Sequence, residues 1–412
     1  MKKLQQKPLP FHQALDLILK EAARFGVKYE TVDLQKARNR VLAEEIRADS
    51  DKPACDNSSM DGFCVRSLDV QQATPQNPVI MPVAPGIDAG HPIEHLPGGH
   101  CAYIATGAPL PAGADAVEKL ESIVQKDGSV IFTKPVKRGN FVRTAGSEHQ
   151  KGHLIAGPGA EITPFLVAIA ASCGLSSLKV CKKPVVGILA SGDELVMHWE
   201  TPKPWQIRNV NSLMLSQQIC EAGATPVDFG IARDQEEDAR KLFERAVDLS
   251  DIIVTSGGIS MGRKDPFRNI FSELEIEPVV YGVTMKPGKP VFFGYYKDKP
   301  VFALPGNMVS TAVTFELFVR TFIRKAMKLP SNRLWMPLRL HKPSFNDSGR
   351  DFFERGQLLR MADELLVVPV ENQESHMLSS FAKTDLLYLH PAEKHELPAG
   401  SQVECILLRN ES

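Results

Sequence analysis

The first apolar pattern in the chain is helical: Phe11, Ala14, Leu15, Ile18, Leu19 and Ala22 recur at the spacing of one helix face. Leu34, Ala37, Val41 and Leu42 predict a second helical run. After Ala48 the texture changes. Proline and glycine become frequent, and short β-type runs such as Val79-Ile80-Met81 and Val130-Ile131-Phe132 are separated by turns, which predicts a β-rich module over 49–148. Helical spacing returns after Pro164 with Leu166, Val167, Ile169 and Ala170. If this helix packs with the first two, the β module is an insertion into a discontinuous helical segment, 9–48 and 149–182.

From Pro184 the pattern alternates strand with helix. Val185 to Ala190 is a buried-strand run, a helix is predicted over Ser212 to Glu221, and Val227 to Ile231 is a strand. Ala239, Leu242, Phe243 and Ala246 mark the next helix, and Ile252 to Thr255 the next strand. A helix follows near Asp265 or Pro266, and another from Val309 to Met327 closes the unit, 183–330. Strand and helix alternating at this spacing imply a mainly parallel sheet with ligands at the carboxyl ends of its strands. The remainder, 331–412, has strand-like runs at Leu365–Val370, Leu386–Leu389 and Val403–Leu408 between turns, and reads as a small β domain. The expected fold class is multidomain α/β plus β.

Composition narrows the function without naming it. A net charge of −1 over 412 residues gives no electrostatic case for nucleic acid, so any anion site is local. No stretch approaches the roughly 20 apolar residues of a membrane span. The basic start, Met1-Lys2-Lys3, is not followed by a signal-peptide core, because His12, Asp16 and Lys20 interrupt it, and a cytoplasmic protein is expected. The cysteines (Cys55, Cys64, Cys101, Cys173, Cys181, Cys220, Cys405) are odd in number and form no Cys-x-x-Cys. His91/His95 and His149/His153 have a metal-like spacing, but one pair spans Pro92, the other Gly152, and neither has a third ligand nearby.

The chemistry concentrates between Asp251 and Asn307. Thr255-Ser256-Gly257-Gly258-Ile259-Ser260-Met261-Gly262, Lys286-Pro287-Gly288-Lys289-Pro290 and Leu304-Pro305-Gly306-Asn307 are three loops in one segment. Glycine loops at strand ends are how an α/β sheet offers backbone N–H groups to an anion. Acidic residues fall at the ends of three strands: Asp193 and Glu194, then Asp234, then Asp265. Converging carboxylates suit a magnesium ion bridging to phosphate. Asp234 with Glu237 is also a capping box, and Asp265 before Pro266 is also a helix start. Arg355, in Asp351-Phe352-Phe353-Glu354-Arg355-Gly356, reads as a partly buried oxyanion ligand or as an ion-pair partner of Glu354 or Asp351.

Six motifs in order over essentially the whole chain carry a resemblance. They are Asp56-Asn57-Ser58-Ser59-Met60-Asp61-Gly62-Phe63, Thr106-Gly107-Ala108-Pro109, Ser191-Gly192-Asp193-Glu194-Leu195, Ser256 to Gly262, Lys286 to Pro290 and Leu304 to Asn307. They closely resemble the MoeA and gephyrin E-domain family, the molybdopterin molybdenumtransferases. The resemblance implies a central molybdopterin-binding domain and insertion of molybdenum from molybdate into adenylylated molybdopterin, with release of AMP and help from Mg2+. It implies a molybdate site of Ser260, Lys286, Lys289, Arg355 and Ser375, and a magnesium site of Glu194, Asp234 and Asp265. Ser191, Gly192, Ser256, Gly257, Gly258, Pro305, Gly306 and Asn307 would contact the pterin nucleotide. Asp61 and Thr106, on the β module, would reach the partner's cleft in a homodimer with composite sites. A molybdopterin adenylyltransferase and molybdoenzyme apoproteins are the implied protein partners. The rival readings are the adenylyltransferase activity itself, or a pterin-binding scaffold without catalysis. Two departures stand out: Met308 where relatives have proline, and Gly146-Ser147-Glu148 where relatives have Gly-Glu-Asp.

Overall fold

The computed structural model describes residues 7–87, 94–233, 235–258, 266–329 and 335–408. Its centre is a six-stranded sheet ordered Thr225–Ala232, Val185–Ser191, Ile252–Ser256, Lys299–Leu304, Phe292–Tyr296, Pro278–Tyr281. The first four strands run parallel and the last two pair antiparallel. Ile252–Ser256 is buried at every position, as a strand covered on both faces must be. One face packs helix Glu236–Leu249 through Ala239, Phe243 and Ala246, and helix Pro266–Glu273 through Phe267, Ile270 and Phe271. The other face packs helix Asn211–Ala222 and a continuous helical rod, Met308–Thr314, a π turn at Phe315–Val319, and Arg320–Ala326.

The helix Phe11–Ala22 forms as its pattern predicts, with Phe11, Ala14, Ile18 and Ala22 buried. Its partner differs from expectation. It packs on the rod of the α/β unit, with the Phe11 ring 5.8 Å from Phe318, and on the C-terminal strand Asp351–Met361, 4.7 Å from Phe353, and not on the helix Pro164–Ser172. The second helical run is also corrected. Tyr29–Asp33 is a strand paired with Ser177–Cys181, Leu34–Lys36 is a single 3-10 turn, and Ala37 and Leu42 join Ile162, Ala170 and Leu178 in a separate small core. The β-rich module holds a sheet ordered Ala116–Lys119, Gly62–Val65, Cys101–Ile104, Val79–Ile87, Ser129–Phe132, Val124–Lys126.

The C-terminal region is a closed barrel. Strand Asp351–Met361 is long enough to pair antiparallel with both Glu364–Pro369 and Leu386–His390. Leu386–His390 pairs with Gln402–Leu407, which pairs with Trp335–Leu340, and that strand returns to Glu364–Pro369. Closing the ring removes sheet edges. Met285–Lys286, from the central unit, adds in parallel beside Asp351–Phe352. The lysine loop is therefore stitched to the barrel by backbone pairing.

Candidate active site at the carboxyl edge of the central sheet

Four parallel strands end on one edge. Val185–Ser191 runs into Gly192-Asp193-Glu194, Thr225–Ala232 into Arg233, Ile252–Ser256 into Gly257-Gly258, and Lys299–Leu304 into Pro305-Gly306-Asn307. Gly257 has φ +81°, and a Cβ there would lie 3.1 Å from the Ser191 carbonyl oxygen and 3.2 Å from its Oγ. A Cβ on Gly306 would sit 3.6 Å from the Gly257 Cα. At Gly257 the positive φ and the tight approach to Ser191 call for glycine, whereas the contact at Gly306 is an ordinary van der Waals distance.

Side chains then tie the loops together. Asn211, the first residue of its helix, donates from Nδ2 to Ser256 Oγ at 2.8 Å and to the Gly306 carbonyl at 2.8 Å. Asn307 Nδ2 donates to Ser375 Oγ at 3.2 Å, and the Val309 N–H donates to the Ser375 carbonyl at 3.3 Å. The Pro305 carbonyl accepts from Thr311 Oγ1 at 2.6 Å. Ser191, Ser256, Gly257, Gly306 and Asn307 are thus brought together with Ser375 of the barrel.

The acidic part of the edge is open. The exposed Glu194 carboxylate folds over Gly192, where an added Cβ would come within 2.5 Å of Oε1 and 2.6 Å of Oε2. Arg233 Nη1 donates to the carbonyls of Leu195 at 3.0 Å and Asp193 at 3.4 Å, setting a guanidinium beside this loop. Asp234, Asp265 and Ser260 lie outside the described residues. Among the described residues no group of three or more His, Cys, Asp or Glu is arranged to hold a metal. The helix after Arg233 begins at Glu236 with Gln235 at its N-cap, and the Gln235 side chain makes no capping hydrogen bond.

The three cations separate into two environments. Lys289 is exposed, and the half-buried Lys286 lays its ammonium 4.3 Å from the centre of the Phe352 ring. Gly288, at φ +101°, faces the Thr314 methyl so closely that a Cβ would fall 2.3 Å from it, which seats the loop on the helix that starts after Asn307. Arg355 is 1% exposed. Three residues beyond Phe352 on a regular strand, it projects from the opposite face. Its Nη2 donates to the carbonyls of Asn372 at 3.0 Å and Glu374 at 3.4 Å, and its guanidinium lies over Phe381. Burial pulls its pKa down from the ordinary arginine value, while Glu354 and Glu374 oppose that shift.

The ion-pair reading of Arg355 is corrected by its neighbours. Glu354 turns the other way and meets His390 Nδ1 at 2.9 Å and Ser344 Oγ at 2.5 Å, and Asp351 accepts from the Ala392 N–H at 3.2 Å. The expectation of partial burial is also exceeded, because Arg355 is committed to the loop that carries Ser375.

On the β module Asp61 Oδ1 accepts from the Thr106 N–H at 2.6 Å and from Thr106 Oγ1 at 2.9 Å, and both residues are exposed. These bonds, the backbone one first, hold the Asp61 carboxyl below the usual carboxylate range. Gly62 beside it is obligatory, since a Cβ would sit 2.2 Å from the Glu118 carbonyl oxygen.

Family models match the chain in three blocks: MoeA N-terminal region (domain I and II) over residues 9–174, probable molybdopterin binding domain over 187–325, and MoeA C-terminal region (domain IV) over 337–408. A molybdopterin molybdenumtransferase of Synechococcus elongatus is 32% identical over 408 residues, covering 96% of this chain and 98% of that protein. The chain belongs to the molybdopterin molybdenumtransferase family. It is therefore a transferase. The Bacillus subtilis molybdopterin molybdenumtransferase is 31% identical, with 99% and 96% covered. The crystal structure of a MoeA protein from Pyrococcus horikosii superposes with a TM-score of 0.82 at 31% identity, covering 98% of this chain and all of that one. The multidomain architecture, with a central α/β domain, β-rich domains and a barrel, is that of the molybdopterin molybdenumtransferases.

Two residues of this transferase's edge carried no sequence signal. Asn211 lies in a helical run without glycine nearby, and its role exists only once Ser256 and Gly306 are adjacent. Gln373 clasps the backbone of Arg355, accepting from its N–H at 2.9 Å and donating to its carbonyl at 2.8 Å, a pairing made across 18 residues of chain.

Proposed function

We propose that this transferase converts adenylylated molybdopterin and molybdate into molybdenum cofactor and AMP, with Mg2+, at the carboxyl edge of the central sheet. The observation that carries the reading is the convergence of three strand-end loops, two joined through Asn211 at Ser256 and Gly306 and the third packed at Ser191 against Gly257, with Ser375 of the barrel bonded to Asn307. The Gly192 and Gly257 N–H groups are spent on the Ala232 and Leu304 carbonyls, so the donors to a phosphate would come from other groups of these loops, and Ser191, Gly192, Ser256, Gly257, Gly258, Pro305, Gly306 and Asn307 would line the nucleotide linkage. Lys286 and Lys289, with Ser260 and Ser375, would grip the molybdate dianion by charge and donated hydrogens. Arg355 would serve that anion through the loop it holds.

Glu194 is exposed and offers hard carboxylate oxygens, as Mg2+ requires, so it fits that ion, with Asp234 and Asp265 completing the set. Bound there, Mg2+ would supply charge neutralisation at the phosphoanhydride. Asp61 and Thr106 would act in the partner's cleft of a homodimer. In support, helix Pro164–Ser172 is almost wholly apolar yet buries only Ala170, leaving Phe165 79% exposed, an uncovered face suited to a second copy. The substrate would come from an adenylyltransferase, and the product would pass to molybdoenzyme apoproteins.

The test is AMP release from adenylylated molybdopterin. Release should need both molybdate and Mg2+ and stop on chelation. A scaffold would bind the substrate tightly and release no AMP.

A further inference from the structure

The amide of Asn211 determines which way a serine at the centre of the site points its proton. Asn211 Nδ2 is 2.8 Å from Ser256 Oγ and 2.8 Å from the Gly306 carbonyl oxygen. A carbonyl oxygen only accepts, so the group facing Gly306 has to be the NH2 and not the amide oxygen. Both of its hydrogens are then committed, one to Gly306 and one to Ser256. Ser256 Oγ is the acceptor in its contact, and its own proton is directed elsewhere. Ser256 is 3% exposed and ends strand Ile252–Ser256, with the close-packed Gly257 and Gly306 loops beside it.

We propose that Asn211 is a positioning residue that fixes Ser256 as a hydrogen-bond donor to the phosphate linkage of the substrate while pinning the Gly306 loop at its side. The assignment rests on the pterin-AMP reading above and adds a residue and a polarity to it. An anion oxygen entering the loops meets the hydrogen of Ser256 and not its lone pairs. A carboxylate at position 211 would reverse this arrangement: it would accept the Ser256 proton and set a negative oxygen against the Gly306 carbonyl.

The consequence is an order of severity that packing alone would not give. Asn211→Asp keeps the shape of the side chain, whereas Asn211→Ala removes it. A packing role makes alanine the worse variant; the donor assignment makes aspartate the worse one. The measurement is calorimetric binding of adenylylated molybdopterin to the full chain with Mg2+ present and molybdate omitted, so that no turnover intervenes. Relative to the wild type, Asn211→Ala is expected to bind about tenfold more weakly and Asn211→Asp about a hundredfold, the range of one or two hydrogen bonds to a charged group. In a Ser256→Ala background the gap between the two variants should narrow, because the Ser256 proton is gone and only the carboxylate facing the Gly306 carbonyl remains.

Aspartate binding as tightly as alanine, or a gap undiminished in the Ser256→Ala background, overturns the assignment while leaving the pterin-AMP reading intact. No binding by the wild type overturns that reading, and the assignment with it. If Asn211→Asp does not fold, Ser256→Ala alone decides: about tenfold weaker binding supports a donor, and unchanged binding overturns it.

Discussion

The lysine loop and Arg355 touch the same barrel strand, and the same charge does different work in each. Lys286 and Lys289 sit on a turn pressed against Thr314, with Lys289 in solvent and Lys286 over Phe352. Arg355, on the opposite face of the strand, is shut away with its Nη2 bonded to Asn372 and Glu374 carbonyls. An exposed ammonium contributes little to stability and much to capturing an anion. A buried guanidinium that donates to carbonyls contributes to the shape of a loop, and removing it takes the donor from the Asn372 carbonyl. Charge alone therefore does not assign a ligand: Nη2 of Arg355 is spent on this loop, while its buried Nε has no hydrogen-bond partner among the described residues.

The largest effect should come from Arg355→Ala. It leaves a cavity and takes the donor from the Asn372 carbonyl, while the Glu374 carbonyl keeps the Met377 N–H, so stability by urea unfolding should fall by about 3 kcal/mol, mostly from the cavity. The molybdate concentration for half-maximal rate should rise as the Ser375 loop loosens. Arg355→Lys should recover little, since one ammonium cannot reproduce the planar fork. A variant of wild-type stability with only a weaker molybdate response would make Arg355 a direct ligand and erase the contrast.

Next in size is Gly288→Ala. Its φ of +101° and the 2.3 Å approach to the Thr314 methyl should cost about 2 kcal/mol. Adding Thr314→Ser, which deletes that methyl, should restore part of the loss in the same unfolding assay. No recovery would mean that the loop does not rest on the helix as described. Lys289→Ala should change stability by less than about 0.5 kcal/mol. It should nonetheless raise half-saturation by molybdate roughly tenfold at low salt, an effect that shrinks as ionic strength rises.

The smallest effect concerns pH and the exposed Asp61. Its carboxyl lies below the usual range because Thr106 donates to it. A depressed folded value means the contact is fully present above the ordinary carboxylate range and is lost as pH falls through the lowered value. Between neutral pH and about pH 5 the pair should therefore hold, with the Asp61 carbon shift in NMR unchanged. Movement of that shift above pH 5 would contradict the pairing.

Much of the central unit was legible because its signals are local. Val185–Ser191 and Ile252–Ser256 are apolar runs ending in glycine, and the helix at 236–249 shows its buried face as Ala239, Phe243 and Ala246. Long-range pairing was not legible. Closure of the barrel depends on Asp351–Met361 pairing with two strands at once, and the run at 34–42 looks helical until Tyr29–Asp33 pairs with Ser177–Cys181. The helix at 11–22 is legible as an element while its partner is not, because amphipathic spacing says which face is buried and not against what. Within the site, the glycine loops announced themselves. Asn211 and the burial of Arg355 did not, since each is defined by residues distant in sequence.

The central claim is that one edge of the sheet couples opening of the nucleotide linkage to metal insertion. The most direct measurement is a single-turnover reaction with adenylylated molybdopterin, Mg2+ and molybdate in which AMP released and molybdenum bound to the pterin are counted together. The two should rise in step, one for one, and neither should rise without molybdate. AMP released without molybdenum incorporation, or substrate bound with neither product formed, would contradict the claim.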